Sequence, residues 1–450
     1  MRSLVRALAA LVVALFVSSP ALAQTTTAGT AWIGGAPLRT RLVVDGSGET
    51  WVGVWVDAPT TVTAAVRAPM AVSLVVDTSG SMAGDKIANA QLAASSLLES
   101  LADGDIVSIY GFASGVTEIA PPTVLDPTSR SWMMRRVSML VAGGGTDIES
   151  GLRVGIARLA QAPSTHPTRR MFLISDGRAT LGQTNPTMLG DLAAGATEWG
   201  AQVTAIGVGY DYDPMTLNGI VVRTAGRLHH LGQPQQMASI LESEMSWLSR
   251  SVALNAAIEV RPAPGVTILS GATTGAVVAD GALRLPLGVL VAGQRRELLF
   301  RVRLAPGITG SRPLATASLV FESPADRVVT TQSYSLTMEV SRSGSASAET
   351  PRVAAMVAQY DASEAERRAA ELMAQGERDR AVRELETART VLATTATSYD
   401  FEDAEVAGAL ARRRAEVDSA ATAARSASTP SEMRARSYEM QAAPMAADGY

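Results

Sequence analysis

Between residues 71 and 248, short runs of consecutive apolar residues alternate with longer stretches in which apolar positions recur every three or four residues. The runs at 72–76, 106–112, 170–175, 203–208 and 227–231 are read as strands, and 86–101 and 148–159 as helices. A strand that is apolar at every position has both faces covered, so this alternation predicts an α/β fold: a doubly wound, mainly parallel sheet with helices on each side. The rhythm changes at residue 252. Strands at 254–260, 266–269, 297–304, 315–321 and 333–340, punctuated by Gly and Pro, predict an antiparallel β-sandwich over 252–340. Similar alternation at 38–44 and 51–56, separated by the turn formers Asp45-Gly46-Ser47-Gly48, predicts a hairpin. These early strands resemble the late ones, so residues 24–68 are assigned to the same sandwich, with the α/β segment, 69–251, inserted into it.

A Ser/Gly linker, 341–352, leads into an Ala-, Glu- and Arg-rich region, 353–425, of strong helix propensity. Gly376, Ala381 and Ala388 match the spacing of one tetratricopeptide-type helix-turn-helix unit. Repeat arrays of that kind need about three units for stability, so a helical hairpin or spacer is the simpler expectation. Residues 426–450 are read as a disordered tail. At the other end, Arg2 and Arg6 precede the apolar run 8–17, and Ala21-Leu22-Ala23 supplies a small-x-small cleavage site. This predicts a signal segment over 1–23, removed on export to the periplasm or beyond the cell. No later stretch is apolar for long enough to span a bilayer.

At 450 residues and 47% apolar the chain can bury a full core. A formal net charge of -4, evenly spread, gives no footprint for nucleic acid or for a membrane surface. Cysteine is absent, which removes disulfides, a thiol nucleophile and thiolate metal sites from consideration. Lys86 is the only lysine, an imbalance that fits codon bias and carries no functional reading in the sequence.

The first α/β strand ends in Asp77-Thr78-Ser79-Gly80-Ser81-Met82. In an open α/β sheet ligands bind beyond the carboxyl ends of the strands, so a polar Asp-x-Ser-x-Ser loop after an apolar strand stands where a site is expected. Its oxygens are all hard donors. Gly143-Gly144-Gly145-Thr146-Asp147 precedes the helix beginning at 148, and Ser175-Asp176-Gly177 closes the strand 170–175. Any one of these residues is readily explained by capping or by loop amides, and Asp147 is read as a helix cap. Taken together, Asp77, Ser79, Ser81, Thr146 and Asp176 resemble the metal-ion-dependent adhesion site of von Willebrand A-type domains, and the resemblance extends over about residues 70–248. It implies that Ser79, Ser81 and, in the ligand-bound state, Thr146 coordinate a divalent cation directly. Asp77 and Asp176 would act mostly through bound waters, leaving a position for water or for a carboxylate of the partner.

Magnesium prefers six oxygens and keeps several waters, so hydroxyls with two carboxylates suit it; manganese and calcium are the other candidates. With the two carboxylates acting through waters, the cation's charge is poorly neutralised by the oxygens that touch it, and an incoming Asp or Glu gains by filling the open position. The expected function is an exported, metal-dependent protein-binding module, adhesive or scaffolding, whose protein partner presents an Asp or Glu carboxylate. Two alternatives stand beside it, a metal-dependent hydrolase and a structural envelope protein. Against the hydrolase, Ser79 stands two residues after Asp77, where an Asp-x-Asp phosphatase carries its acid, and no other general base is evident. No nucleophile elbow, zinc-protease helix or phosphate-binding loop is present, so catalytic residues are not expected. His229 and His230, adjacent on a strand, face opposite ways and are read as structural, and Met82, Met133, Met134 and Met139 as packing residues.

Overall fold

The computed structural model describes residues 31–43, 48–60, 68–209, 212–231, 250–306 and 309–430, together with positions 236, 240, 244, 432, 433, 436, 437 and 440. The expected signal segment, 1–23, and the turn residues Asp45, Gly46 and Ser47 lie outside the described residues.

Three short stretches precede the α/β segment: β1 (Ile33–Pro37), β2 (Arg41–Val43) and β3 (Glu49–Asp57). The expected hairpin between 38–44 and 51–56 is not formed. β3 pairs antiparallel with β1, Ile33 opposite Val56 and Pro37 opposite Val52, whereas β2 lies in the other sheet. The reason is steric. A Cβ on Gly34 would stand 2.5 Å from the Trp55 indole nitrogen, so β1, whose glycine leaves that space, is what fits beside Trp55.

The α/β segment runs β4 (Met70–Asp77), α1 (Asp85–Ser100), β5 (Ile106–Phe112), β6 (Val116–Val124), α2 (Pro127–Val137), α3 (Ile148–Ala160), β7 (Thr168–Ser175), α4 (Pro186–Ala194), β8 (Ala201–Val208), α5 (Pro214–Val222) and β9 (Leu228–Leu231). Its sheet has the order β6-β5-β4-β7-β8-β9, parallel except for β6. Every residue of β4 is buried, and alternate side chains go to opposite faces. Val72, Leu74 and Val76 pack with Ala90, Ala94 and Leu97 of α1, while Ala71 and Val75 pack with Ile148 and Leu152 of α3. β6 was not expected from the sequence because Pro121 and Pro122 lie within it. As the antiparallel edge strand it tolerates their missing donors.

The chain then returns to strands: β10 (Ser251–Pro262), β11 (Val266–Gly271), β12 (Val277–Ala279), β13 (Ala282–Val291), β14 (Arg295–Leu304), β15 (Gly310–Glu322) and β16 (Val329–Ser341). Two sheets result, β1-β3-β14-β11 and β12-β13-β10-β15-β16-β2, packed over one apolar core. Strands from before and after the α/β segment share both sheets, so the α/β unit interrupts the sandwich. Both of its connections meet at one turn: the Pro59 carbonyl accepts from Gly293 N at 2.9 Å, and the Arg250 carbonyl from Ala292 N at 3.0 Å.

Three helices follow, α6 (Pro351–Ala374), α7 (Arg378–Ser398) and α8 (Ala404–Ser426), one more than the expected hairpin. Gly376, at φ +81°, ends α6 with the Glu377 amide donating to the Leu372 carbonyl at 2.8 Å, a left-handed cap that glycine adopts without strain. Val353 and Met356 of α6 bury against Leu299, with Trp51 and Trp55 alongside. The segment before α6 is no free tether. Arg39 pairs with Glu349 at 2.6 Å, and Thr350 N donates to the Leu38 carbonyl at 2.7 Å. The expected disordered tail, 426–450, is not borne out at its described positions, and 441–450 lie outside the described residues. Positions 432, 433, 436, 437 and 440 are helical, Ser437 donates to the Ala370 carbonyl at 2.8 Å, and Met440 is buried in the core shared by α6, α7 and α8. Small residues with two well-spaced methionines suffice to dock there, a signal too sparse to show as periodicity. Among the described residues no helix is long and apolar enough to cross a membrane.

Candidate functional site

The sheet order places a crevice at the carboxyl ends of β4 and β7. From β4 the chain crosses through α1 to β5 on one side, and from β7 it crosses through α4 to β8 on the other, so the two connecting loops diverge and leave a gap between them.

The loop after β4 is held at its start by Thr78, whose amide and hydroxyl both donate to the Phe112 carbonyl, at 2.8 and 3.0 Å. It then folds on itself: Ser79 N donates to Asp77 Oδ1 at 2.8 Å, and the Ser79 and Ser81 hydroxyl oxygens lie 3.1 Å apart. The loop after β7 reaches the same carboxylate from the other side, with Ser175 Oγ donating to Asp77 Oδ2 at 2.6 Å and Gly177 N to Ser175 Oγ at 2.8 Å. The glycine-rich segment before α3 lies over the first loop. Gly143 N donates to the Thr78 carbonyl at 2.8 Å and Gly80 N to the Gly144 carbonyl at 2.9 Å, the latter carbonyl belonging to a residue at φ +83°. Thr146 follows, its amide donating to Thr180 Oγ1 at 2.9 Å and its carbonyl accepting from the Thr180 and Leu181 amides.

The structure therefore gathers the loops carrying all five expected residues at one edge of the sheet. Asp77, Ser79, Thr146 and Asp176 are buried, and Ser81 is exposed at the mouth. Burial pushes the Asp77 carboxyl above its usual value, more than hydrogen bonds from Ser175 and Ser79 draw it down, and the Asp176 carboxylate adds to the rise. Asp176 meets the Lys86 ammonium, Nζ to Oδ2 at 3.0 Å. This donor set fits a small hard cation. Its side-chain oxygens are carboxylate and hydroxyl, and the two carboxylates are close enough to repel, with Lys86 meeting Asp176. Among the described residues no group of three or more His, Cys, Asp or Glu is placed to hold a metal, so a cation here depends on the hydroxyl oxygens.

Residues 72–178 match the family model of the von Willebrand factor type A domain. The chain carries a domain of this family. The fold agrees with that of a von Willebrand factor type A protein from Catenulispora acidiphila, at TM-score 0.63 and 19% identity over 84% of this chain and 89% of that one. It agrees also with that of the ArnB paralog VWA2 from Sulfolobus acidocaldarius, at TM-score 0.56 and 14% identity over 92% and 99%. In sequence the chain is 24% identical over 269 residues to the uncharacterized protein sll0103 of Synechocystis, covering 58% of this chain and 63% of that protein. It is 30% identical over 124 residues to inter-alpha-trypsin inhibitor heavy chain H3 of Mesocricetus auratus, covering 26% and 14%. The chain thus spans less than two thirds of the length of either relative.

Two residues at the candidate site are not among those expected from the sequence. Ser175 supports Asp77, and its adjacency to Asp176 was the available hint. Lys86 reaches Asp176 from the first turn of α1, and its being the only lysine was a signal left unused. Asp147 does cap α3, accepting from Ser150 N at 3.0 Å and Ser150 Oγ at 2.6 Å. His229 and His230 point apart, to Glu244 at 2.8 Å and to the Gly209 carbonyl at 2.8 Å. Met82 and Met133 pack in the core, but Met139 is exposed, because Leu140 beside it turns inward instead.

Proposed function

We propose that the A-type domain binds a divalent cation, magnesium before manganese or calcium, and through it grips an Asp or Glu carboxylate of a protein partner. Ser79, Ser81 and Thr146 would hold the cation, with Asp77 and Asp176 acting through its waters. The bound cation supplies a positive, incompletely neutralised position that an acidic group fills. The observation carrying this reading is the meeting of two buried carboxylates and two hydroxyls 3.1 Å apart at the point where the sheet's loops diverge. Ser79 N and Ser175 Oγ fix the Asp77 carboxylate from both sides, so it is oriented before any cation arrives. Export, to the periplasm or outside the cell, is part of the same proposal and rests on residues 1–23. A hydrolase is the weaker reading, since the side chains converging on the loop are hydroxyls, two carboxylates already engaged in hydrogen bonds, and a lysine paired with Asp176.

Calorimetric titration of the full chain with magnesium tests the site, and recovery of partner from envelope extract, with magnesium and with chelator, tests the grip. Asp77→Ala is expected to abolish cation binding. Thr146→Ala is expected to keep measurable magnesium binding while losing about 1–3 kcal/mol of cation-dependent partner affinity. Undiminished magnesium binding by Asp77→Ala would show the site to be elsewhere. An Asp77→Ala variant that loses the cation but keeps full partner binding would show that the partner docks on another surface.

A further inference from the structure

The site contains a cation of its own. Lys86, the only lysine among 450 residues, extends from the first turn of α1 and places Nζ 3.0 Å from Asp176 Oδ2. The Asp176 side chain is fully buried and that of Lys86 is 18% exposed, so the pair is largely shielded from water. The other Asp176 oxygen, Oδ1, faces the Arg178 amide at 3.4 Å. An arginine, the cation this chain uses everywhere else, would bring a planar fork that engages a carboxylate at two points, whereas an ammonium is a compact point charge that releases one contact at a time.

We propose that Lys86 is the resident counter-ion of the cation-free site, that a divalent cation must displace its charge from Asp176 to bind, and that Lys86 therefore sets how much cation the domain needs. The inference rests on reading the loops as a cation site and adds a competitor to it. With Lys86 in place, Asp77 and Asp176 carry one net negative charge between them and the lysine; with it gone they carry two. A divalent cation entering the second arrangement meets stronger attraction and one like charge fewer. The same ammonium has a second effect when no cation is bound. It keeps Asp176 from being a buried, uncompensated charge beside Asp77, so the loops hold their arrangement before loading.

These two roles have opposite signs in one measurement, which makes the test decisive. Magnesium titrations by calorimetry and thermal unfolding, each with and without magnesium, are made on the full chain as wild type, Lys86→Gln and Lys86→Arg. The expected result is that Lys86→Gln binds magnesium about tenfold more tightly or better, unfolds at a lower temperature than wild type in chelator, and gains more from added magnesium. Lys86→Arg, which keeps the charge and adds a forked contact, binds magnesium no more tightly than wild type. If Lys86→Gln binds magnesium equally or more weakly while wild type binds, Lys86 orients Asp176 and does not compete, and the inference fails although the cation site stands. If neither wild type nor Lys86→Gln binds magnesium or manganese, the cation reading and this inference fall together. Should Lys86→Gln not fold in chelator, refolding it in magnesium decides: recovery supports the proposal and continued failure overturns it.

Discussion

The α/β unit buries two clusters of charge, and they are built on opposite plans. At the carboxyl ends of β4 and β7, the Asp176 carboxylate meets the Lys86 ammonium with the Asp77 carboxylate close by. Against β8 and β9, one carboxylate, Glu244, faces Arg227 at 3.1 Å, His229 at 2.8 Å and, through Thr204, the fully enclosed Arg170. Burial pushes both acids upward. At Asp77 it prevails over the hydrogen bonds; at Glu244 the His229 hydrogen bond and the charges of Arg170, His229 and Arg227 outweigh it and hold the carboxyl below its ordinary value. The comparison separates structure from function. Around Glu244 the protein's own cations offset the charge of the one acid, although Arg170 Nε and Nη2 find no hydrogen-bond partner, whereas at the strand ends two buried acids lie close together beside Lys86.

Breaking the cluster around Glu244 should cost most. Glu244→Gln leaves the buried Arg170 and the partly exposed Arg227 without their counter-charge, and a loss of about 3 kcal/mol is expected in urea unfolding at neutral pH, the same with and without magnesium. Because folding lowers the Glu244 pKa, its contribution is present above the ordinary value of 4.5 and disappears as pH falls through the lower folded value. The gap between wild type and Glu244→Gln should therefore narrow steadily below about pH 4.5, and a gap that stays constant would count against the ion-pair account. Asp77→Asn should behave in the reverse way. It removes a charge that burial already disfavours and leaves Lys86 and Asp176 balanced, so stability in chelator should change by less than about 1 kcal/mol while magnesium binding is lost. The smallest effect on folding belongs to Ser81→Ala, which deletes an exposed hydroxyl. Its unfolding midpoint should match wild type to within about 0.5 kcal/mol, and a several-fold weaker magnesium affinity in calorimetry would be the only trace.

How far the sequence could be read follows from where each residue's partners lie. β4, β7 and β8 were legible because burial on both faces demands apolar side chains at every position, a local signature. β1 and β6 were not, since a glycine beside Trp55 and prolines at a sheet edge are chosen by neighbours that the local pattern does not contain. The site divides the same way. Asp77, Ser79 and Ser81 form one loop and show themselves within five residues, and Thr146 and Asp176 stand at recognisable helix and strand ends. Ser175 and Lys86 act on residues 98 and 90 positions away, and only the assembled sheet brings them together. The turn expected at 45–48 misled because the chain changes sheets at Leu38 to Arg41, where Arg39 and Arg41 turn to Glu349 and Glu339 instead.

The turn at Ala292 and Gly293, which receives both ends of the inserted unit, bears on how costly it is to close the sandwich. β3 precedes β14, its partner in the sheet, by an interval of well over two hundred residues. In that interval the α/β unit has all the strands it needs. Once folded it brings residues 59 and 250 side by side, so the closure that completes the sandwich spans a compact body rather than a long slack loop.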